Sequence, residues 1–239
     1  MIAELRHIWQ EAFGDAEETL DNFFATGYSP DRCHYICDGD TVVSALYWFD
    51  CQLQGRMLAY IYAVATLQSH RGKGLASRLL GQTHEILTKK GYAGAILVPG
   101  GKDLFSYYEK LGYRTVTAVN EFSCKASGKP VALWEVDAAE YARLRKALLP
   151  AGGVVQEGAA LAYLHTYAKF YAGEGFLLSA SPDKIQEFLG DNSFVPGILA
   201  GLGVAEGQFC TPGTGRDFAM LLPLEKDCPT PSYFGLALD

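Results

Sequence analysis

From Val64 onward the chain reads Val64-Ala65-Thr66-Leu67-Gln68-Ser69-His70-Arg71-Gly72-Lys73-Gly74-Leu75-Ala76-Ser77. A strand-like apolar run passes through a short loop into a glycine-rich turn and then into a helical pattern. Such a turn is an anion site. Gly72, Gly74 and Ala76 let backbone N–H groups approach a ligand closely, and the helix start adds unsatisfied donors with a partial positive charge. Arg71 and Lys73 add formal charge of the matching sign. Judged on its glycines alone, the segment is an ordinary tight turn with a solvated Arg and Lys. The strand before it and the helix after it are the context a phosphate site requires. Two nucleotide motifs are excluded: there is no Gly-Lys-Ser/Thr after four free positions, and the three-glycine dinucleotide spacing is absent.

The second feature is Tyr108. In a helix read over Asp103 to Leu111 it shares a face with Leu104 and Leu111 and points toward the sheet. A positioned phenol can give a proton to a departing thiolate, whereas a core tyrosine merely finds a partner for its hydroxyl. Spacing alone leaves both readings open.

The elements that must hold these residues follow from pattern. Ile2, Leu5, Ile8, Trp9, Ala12 and Phe13 recur at helical spacing up to Gly14, and Asp15 then reads as the cap of a second helix with Glu17 and Glu18 in its first turn. Cys33 to Cys37 and Thr41 to Phe49 read as strands joined through Asp38-Gly39-Asp40. Past the Gln54-Gly55-Arg56 turn, Met57 to Thr66 reads as a covered strand. A helix from Gly74 to Lys90, a strand from Ala93 to Val98, the short helix bearing Tyr108 and a strand from Tyr113 to Ser123 complete an alternating α/β order. Ala126-Ser127-Gly128-Lys129-Pro130 reads as a linker. Beyond it the pattern gives a helix (Ala138 to Leu148), an aromatic segment (Leu161 to Tyr171), a helix opened by Ser181-Pro182-Asp183 and a last strand near Phe218 to Leu222. Tyr163, His165, Tyr167, Phe170 and Tyr171 read chiefly as core, the alternative being a pocket for a cation or an aryl amine.

Composition narrows the partners. A formal charge of −7 with no basic run repels polyanions, which excludes nucleic acid, and the same field mildly attracts amines. Six scattered cysteines without Cys-x-x-Cys or paired histidines predict reduced thiols, no metal and a cytoplasmic setting. Met1 to Phe13 does not read as a signal peptide, and no apolar run approaches the ~20 residues of a membrane span.

Taken together, Arg71, Gly74 and Ala76 in the order Arg/Gln-x-x-Gly-x-Gly/Ala, followed by Leu104-Phe105-Ser106-Tyr107-Tyr108-Glu109-Lys110-Leu111-Gly112-Tyr113, resemble the GNAT superfamily of N-acetyltransferases. The resemblance covers about the first half of the chain. It implies an α/β (α+β by some schemes) GNAT fold, a mixed central sheet flanked by helices. Residues 1–125 would be the acyl-CoA-binding domain. Residues 126–239 look like the smaller, degenerate second unit of two-unit GNAT proteins, with no second copy of the motif. The resemblance also implies acetyl-CoA or another acyl-CoA as co-substrate. Arg71, Gly72, Lys73, Gly74, Leu75, Ala76 and Ser77 would hold its pyrophosphate, and Val64, Ala65 and Thr66 would meet the pantetheine arm in a slot where two strands splay. Tyr108 would be the general acid of direct attack by a primary amine, either a small molecule or a peptide. Thr66-Leu67-Gln68 departs from the family's Val-x-Pro. No base stands out: Glu17, Glu18, Tyr60, Tyr62 and Glu121 are candidates, and His70 reads as a surface residue. The competing classes are a silent acyl-CoA sensor and a scaffold, and a monomer and a homodimer are both compatible with the sequence.

Overall fold

The structure, a computed structural model, describes residues 1–238. Helix α1 (Ile2–Phe13) buries Leu5, Ile8 and Trp9 on one face and stops at Gly14, which takes φ 71°. Helix α2 (Glu17–Asn22) starts from Ala16 with no side-chain cap and runs on into a wide turn at Phe23–Gly27. Asp15 is therefore not the cap that its type and position suggest. Its carboxylate instead accepts a hydrogen bond from Trp9 Nε1 at 2.7 Å.

Strands β1 (Cys33–Asp38), β2 (Thr41–Leu53) and β3 (Arg56–Thr66) form an antiparallel meander. The second turn places Gln54 at φ 50° and Gly55 at φ 77°, the paired left-handed residues of a tight hairpin. Helix α3 (Leu75–Lys89) then crosses over to β4 (Gly94–Leu97), parallel to β3, and helix α4 (Lys102–Lys110) leads to β5 (Arg114–Thr115) and β6 (Ala118–Lys125).

The second half contains β7 (Leu133–Val136), α5 (Ala138–Leu148), β8 (Val155–Gln156), α6 (Ala159–Leu164), β9 (Lys169–Gly173), β10 (Phe176–Ala180) and β11 (Ile185–Leu189). It ends with α7 (Val195–Leu202), β12 (Glu206–Gly213), β13 (Arg216–Asp217) and β14 (Met220–Pro223). The helix expected from Ser181-Pro182-Asp183 is absent. Ser181 N–H donates to the Lys184 carbonyl at 2.9 Å, so these residues close the β10–β11 hairpin.

Two seven-stranded sheets result. The first runs β1-β2-β3-β4-β14-β5, with β8 on the far part of β2; the second runs β13-β6-β12-β11-β10-β9-β7. The first half lends β6 to the second sheet, and the second half lends β14 and the short β8 to the first. After β5 the chain crosses into the second sheet as β6, which makes eight antiparallel register pairs with β12. After β13 it crosses back as β14, which fills the place between β4 and β5. The crossings touch: Val116 N–H donates to Ala219 O at 3.0 Å and Phe218 N–H to Thr117 O at 2.9 Å. One apolar cluster accordingly spans both halves, from Trp9, Phe23 and Tyr60 to Tyr163, Phe170 and Phe234.

A buried polar group lies within the second half. Arg145 and Glu187 are 1% and 0% exposed and pair at 2.7 and 2.9 Å. Glu187 also accepts from Tyr141 and Tyr233, each at 2.9 Å. Arg145 further donates to Val154 O, and Gln156 Nε2 to Leu236 O. Every oxygen of the carboxylate is thus satisfied, which is the condition for burying a charge pair at low cost.

Candidate active site

The parallel register between β3 and β4 ends at Tyr60 and Ile96, so Ile61–Thr66 diverges from its neighbour. On the other edge, Leu46 of β2 lies opposite both Ala63 and Val64, and Ala63 adopts φ 48°. A bulge of this kind re-aims the strand beside a site, and a left-handed alanine is strained enough to be worth holding only in a well-determined setting. The expected slot between the strands is therefore built into the sheet, with Val64, Ala65 and Thr66 along its wall.

Beyond β3, Gly72 and Gly74 take φ 75° and 73°, values only glycine adopts freely, and open space surrounds both. Helix α3 begins at Gly74 without a side-chain cap, which leaves the N–H groups of its first turn without protein acceptors. Arg71 folds back so that Nε donates to Thr66 O at 3.1 Å, tying the turn to the end of the strand. A cavity of about 450 Å³ lies here, walled by Arg71, Gly72, Gly74, Leu75, Ala76 and Ser77 on one side and by Tyr107 and Tyr108 on the other. Lys73 sits on the turn outside this wall, and Ser77 Oγ lies 3.1 Å from the Tyr107 hydroxyl.

Tyr108 comes from α4 and is 8% exposed. Burial, with a smaller contribution from Tyr107, pushes its phenol up to about 12, so it keeps its proton at neutral pH. Its ring packs edge-on against Tyr113 at 5.6 Å, and among the described residues no group takes its hydroxyl. Behind it the Tyr113 hydroxyl lies 2.8 Å from His84 Nε2, and burial holds His84 down at about 4. These residues fix the ring without consuming its proton.

Tyr108 also borders a second cavity of about 570 Å³, which shares Phe13, Val64 and Leu104 with the first. Trp9, Tyr60, Tyr62, Tyr163 and Tyr167 supply its aromatic walls, together with Asp15 and Thr19. Of the residues proposed for a base, Tyr60 and Tyr62 reach this space. Glu17 instead pairs with Arg6, and Glu121 pairs with Arg216 beside a different cavity. His70 faces Asp38 at 3.4 Å. Sequence reasoning missed Trp9 and Asp15, and left Tyr163 and Tyr167 to the core. Nothing local marks the first two, since only folding brings Trp9 and Asp15 to the same cavity as residues of α6.

Among the described residues no group of three or more His, Cys, Asp or Glu side chains could hold a metal ion, and no helix is long and apolar enough to cross a membrane.

Comparison with known proteins bears on this arrangement. Residues 2–116 match the family of the acetyltransferase (GNAT) domain. The whole fold resembles a GCN5-related N-acetyltransferase from Kribbella flavida (TM-score 0.67, 18% identity, 92% of this chain and 68% of that one). It also resembles a GCN5-related N-acetyltransferase from Anabaena variabilis (0.71, 16%, 94% and 70%) and Eis1 from Mycobacterium abscessus (0.64, 13%, 92% and 70%). At such identities the likeness is one of fold, and it extends over both sheets. No curated protein sequence matches the chain.

Proposed function

We propose, from the match of residues 2–116 to the acetyltransferase (GNAT) domain family, that the protein moves an acetyl or other acyl group from acyl-CoA to a primary amine by direct attack. The observation that carries this reading is the meeting of two cavities at Tyr108, one floored by an uncapped helix start and the other lined with aromatic rings.

In this reading the main-chain N–H groups of Gly72 to Ser77, aided by the charges of Arg71 and Lys73, hold the pyrophosphate. Backbone groups of Val64, Ala65 and Thr66 line the pantetheine arm. The acyl thioester supplies an electrophilic carbonyl carbon. A C–N bond forms there while the C–S bond breaks, and the Tyr108 phenol gives its proton to the thiolate and recovers one from the amine through solvent. Its raised pKa suits a donor that must stay protonated until the thiolate forms. Residues 1–125 would bind acyl-CoA, and residues 126–239 would complete the sheet and close the acceptor cavity. The six unpaired thiols support a cytoplasmic setting. The chain would act as a monomer or a homodimer.

Calorimetric titration with acetyl-CoA is the test of binding, and thiol release across an amine panel is the test of turnover. Tyr108→Phe is expected to keep the acetyl-CoA affinity and to lower kcat about 10²- to 10⁴-fold. Undiminished turnover in the variant removes Tyr108 from the chemistry. Binding without thiol release from any amine would make the protein a sensor.

A further inference from the structure

The aromatic cavity carries information about the acceptor that the family does not. Its walls hold one acid, Asp15, and no Lys, Arg or His. Asp15 Oδ2 accepts from Trp9 Nε1 at 2.7 Å, and no other hydrogen bond or ion pair engages the carboxylate among the described residues, so its second oxygen is available. The bond to Trp9 holds the carboxylate against the rim while that ring packs at 5.6 Å from Tyr62 and 4.5 Å from Phe23. The phenols are largely spent. Tyr60 OH accepts from Leu238 N–H at 3.1 Å, and the hydroxyls of Tyr62 and Tyr163 lie 3.4 Å apart. Burial raises both of those phenols, which therefore stay neutral. The space of about 570 Å³ is that of a small-molecule site.

We propose that the acceptor is a monoamine with an apolar, aromatic body, drawn in as its ammonium by the Asp15 carboxylate and held by the partly exposed rings of Tyr62 and Tyr167, which the buried rings of Trp9 and Tyr163 back. The proposal rests on the acyltransferase reading above and narrows it to a substrate class. A polyamine would leave its further ammonium groups without a second carboxylate. A polyhydroxylated amine would meet ring carbon where it needs acceptors. An aralkylammonium satisfies one carboxylate, gains cation–π attraction and buries its ring. Capture as the ammonium precedes loss of the proton that frees the nitrogen for attack, and the proposal concerns the capture.

The experiment uses the full chain saturated with CoA and titrates it calorimetrically with 2-phenylethylamine, spermidine, Nα-acetyl-lysine amide and aniline, which is uncharged at pH 7. The same titrations are repeated with Asp15→Asn, whose amide oxygen still accepts from Trp9 Nε1. The expected result is tightest binding of 2-phenylethylamine, weakened about tenfold to a hundredfold in the variant, with aniline and CoA affinities and the melting temperature unchanged. Tighter binding of spermidine or the lysine amide, no binding of 2-phenylethylamine, or an unchanged affinity in the variant overturns the substrate class while CoA binding stands. Absence of heat with CoA itself overturns the underlying reading, and the class falls with it.

Discussion

The two halves repeat one plan and use charge in opposite ways. Each has an antiparallel set, a parallel pair joined by a crossover helix, and a strand borrowed from the other half. In the first half the crossover helix begins at a left-handed glycine with no cap, beside Arg71 and Lys73 in the open. In the second, the turn before α7 is capped by its own carboxylate: Asp191 accepts from Ser193 N–H at 2.8 Å. The buried Arg145 is likewise answered from within by Glu187. A helix start that already owns an anion has no use for another, so the second half answers its charges internally while the first leaves the donors of its helix start open.

The sharpest way to break this contrast is to remove an internal partner. Glu187→Gln leaves Arg145 buried and unpaired and is expected to cost about 3–5 kcal/mol in urea unfolding, with the acetyl-CoA affinity of the folded fraction unchanged. Gly235→Ala acts on the same group, since a Cβ there would collide with Glu187 Oε1 and the Tyr233 hydroxyl. Next, Gly74→Asp gives the first half the second half's solution. It should weaken acetyl-CoA binding about a hundredfold by calorimetry, as a carboxylate competes for the donors and repels the pyrophosphate.

A pH series follows. The folded His84 sits near about 4 against an ordinary value of 6.5, so the unfolded chain protonates first. Stability is full above pH 6.5 and declines as pH falls toward 4. The loss is roughly 1–3 kcal/mol, and urea melts of His84→Gln should show a flatter profile. The smallest effect is that of Asp191→Ala, which should cost about 1 kcal/mol of stability for the lost cap and create no acyl-CoA site, because no second Arg and glycine pair stands beside it.

Some of this was legible in the chain. The glycine turn was readable because its chemistry is local: the positive φ at Gly72 and Gly74 and the helix that follows depend on residues within a few positions. The first hairpin and the end of α1 at Gly14 were readable for the same reason. Ser181-Pro182-Asp183 misled because the residues that open a helix also close a hairpin, and only the pairing of Leu177 to Ala180 with Ile185 to Leu189 decides between them. Asp15 misled because a cap and a wall residue have the same type. The aromatic cavity was legible in part: the run from Tyr163 to Tyr171 offered a pocket as the alternative to core, but nothing local shows that Trp9 and Asp15 of the first half line the same space. The strand exchange was hidden too, since Ala118–Lys125 and Met220–Pro223 have the apolar pattern of strands and nothing in it names their sheet.

The reciprocal loan of β6 and β14 sets an order of events during synthesis. Until residues 220–223 leave the ribosome, the edge of β4 that they will cover stays bare, and β6 waits for β12 across the long run of chain from 126 to 205. Contacts of such separation close late and keep sticky strand edges on show meanwhile. A nascent chain halted near residue 125 would therefore be a template for aggregation, and the glycine turn from Arg71 to Ser77, whose own residues are all present by then, would acquire a steady scaffold only when the last strand arrives.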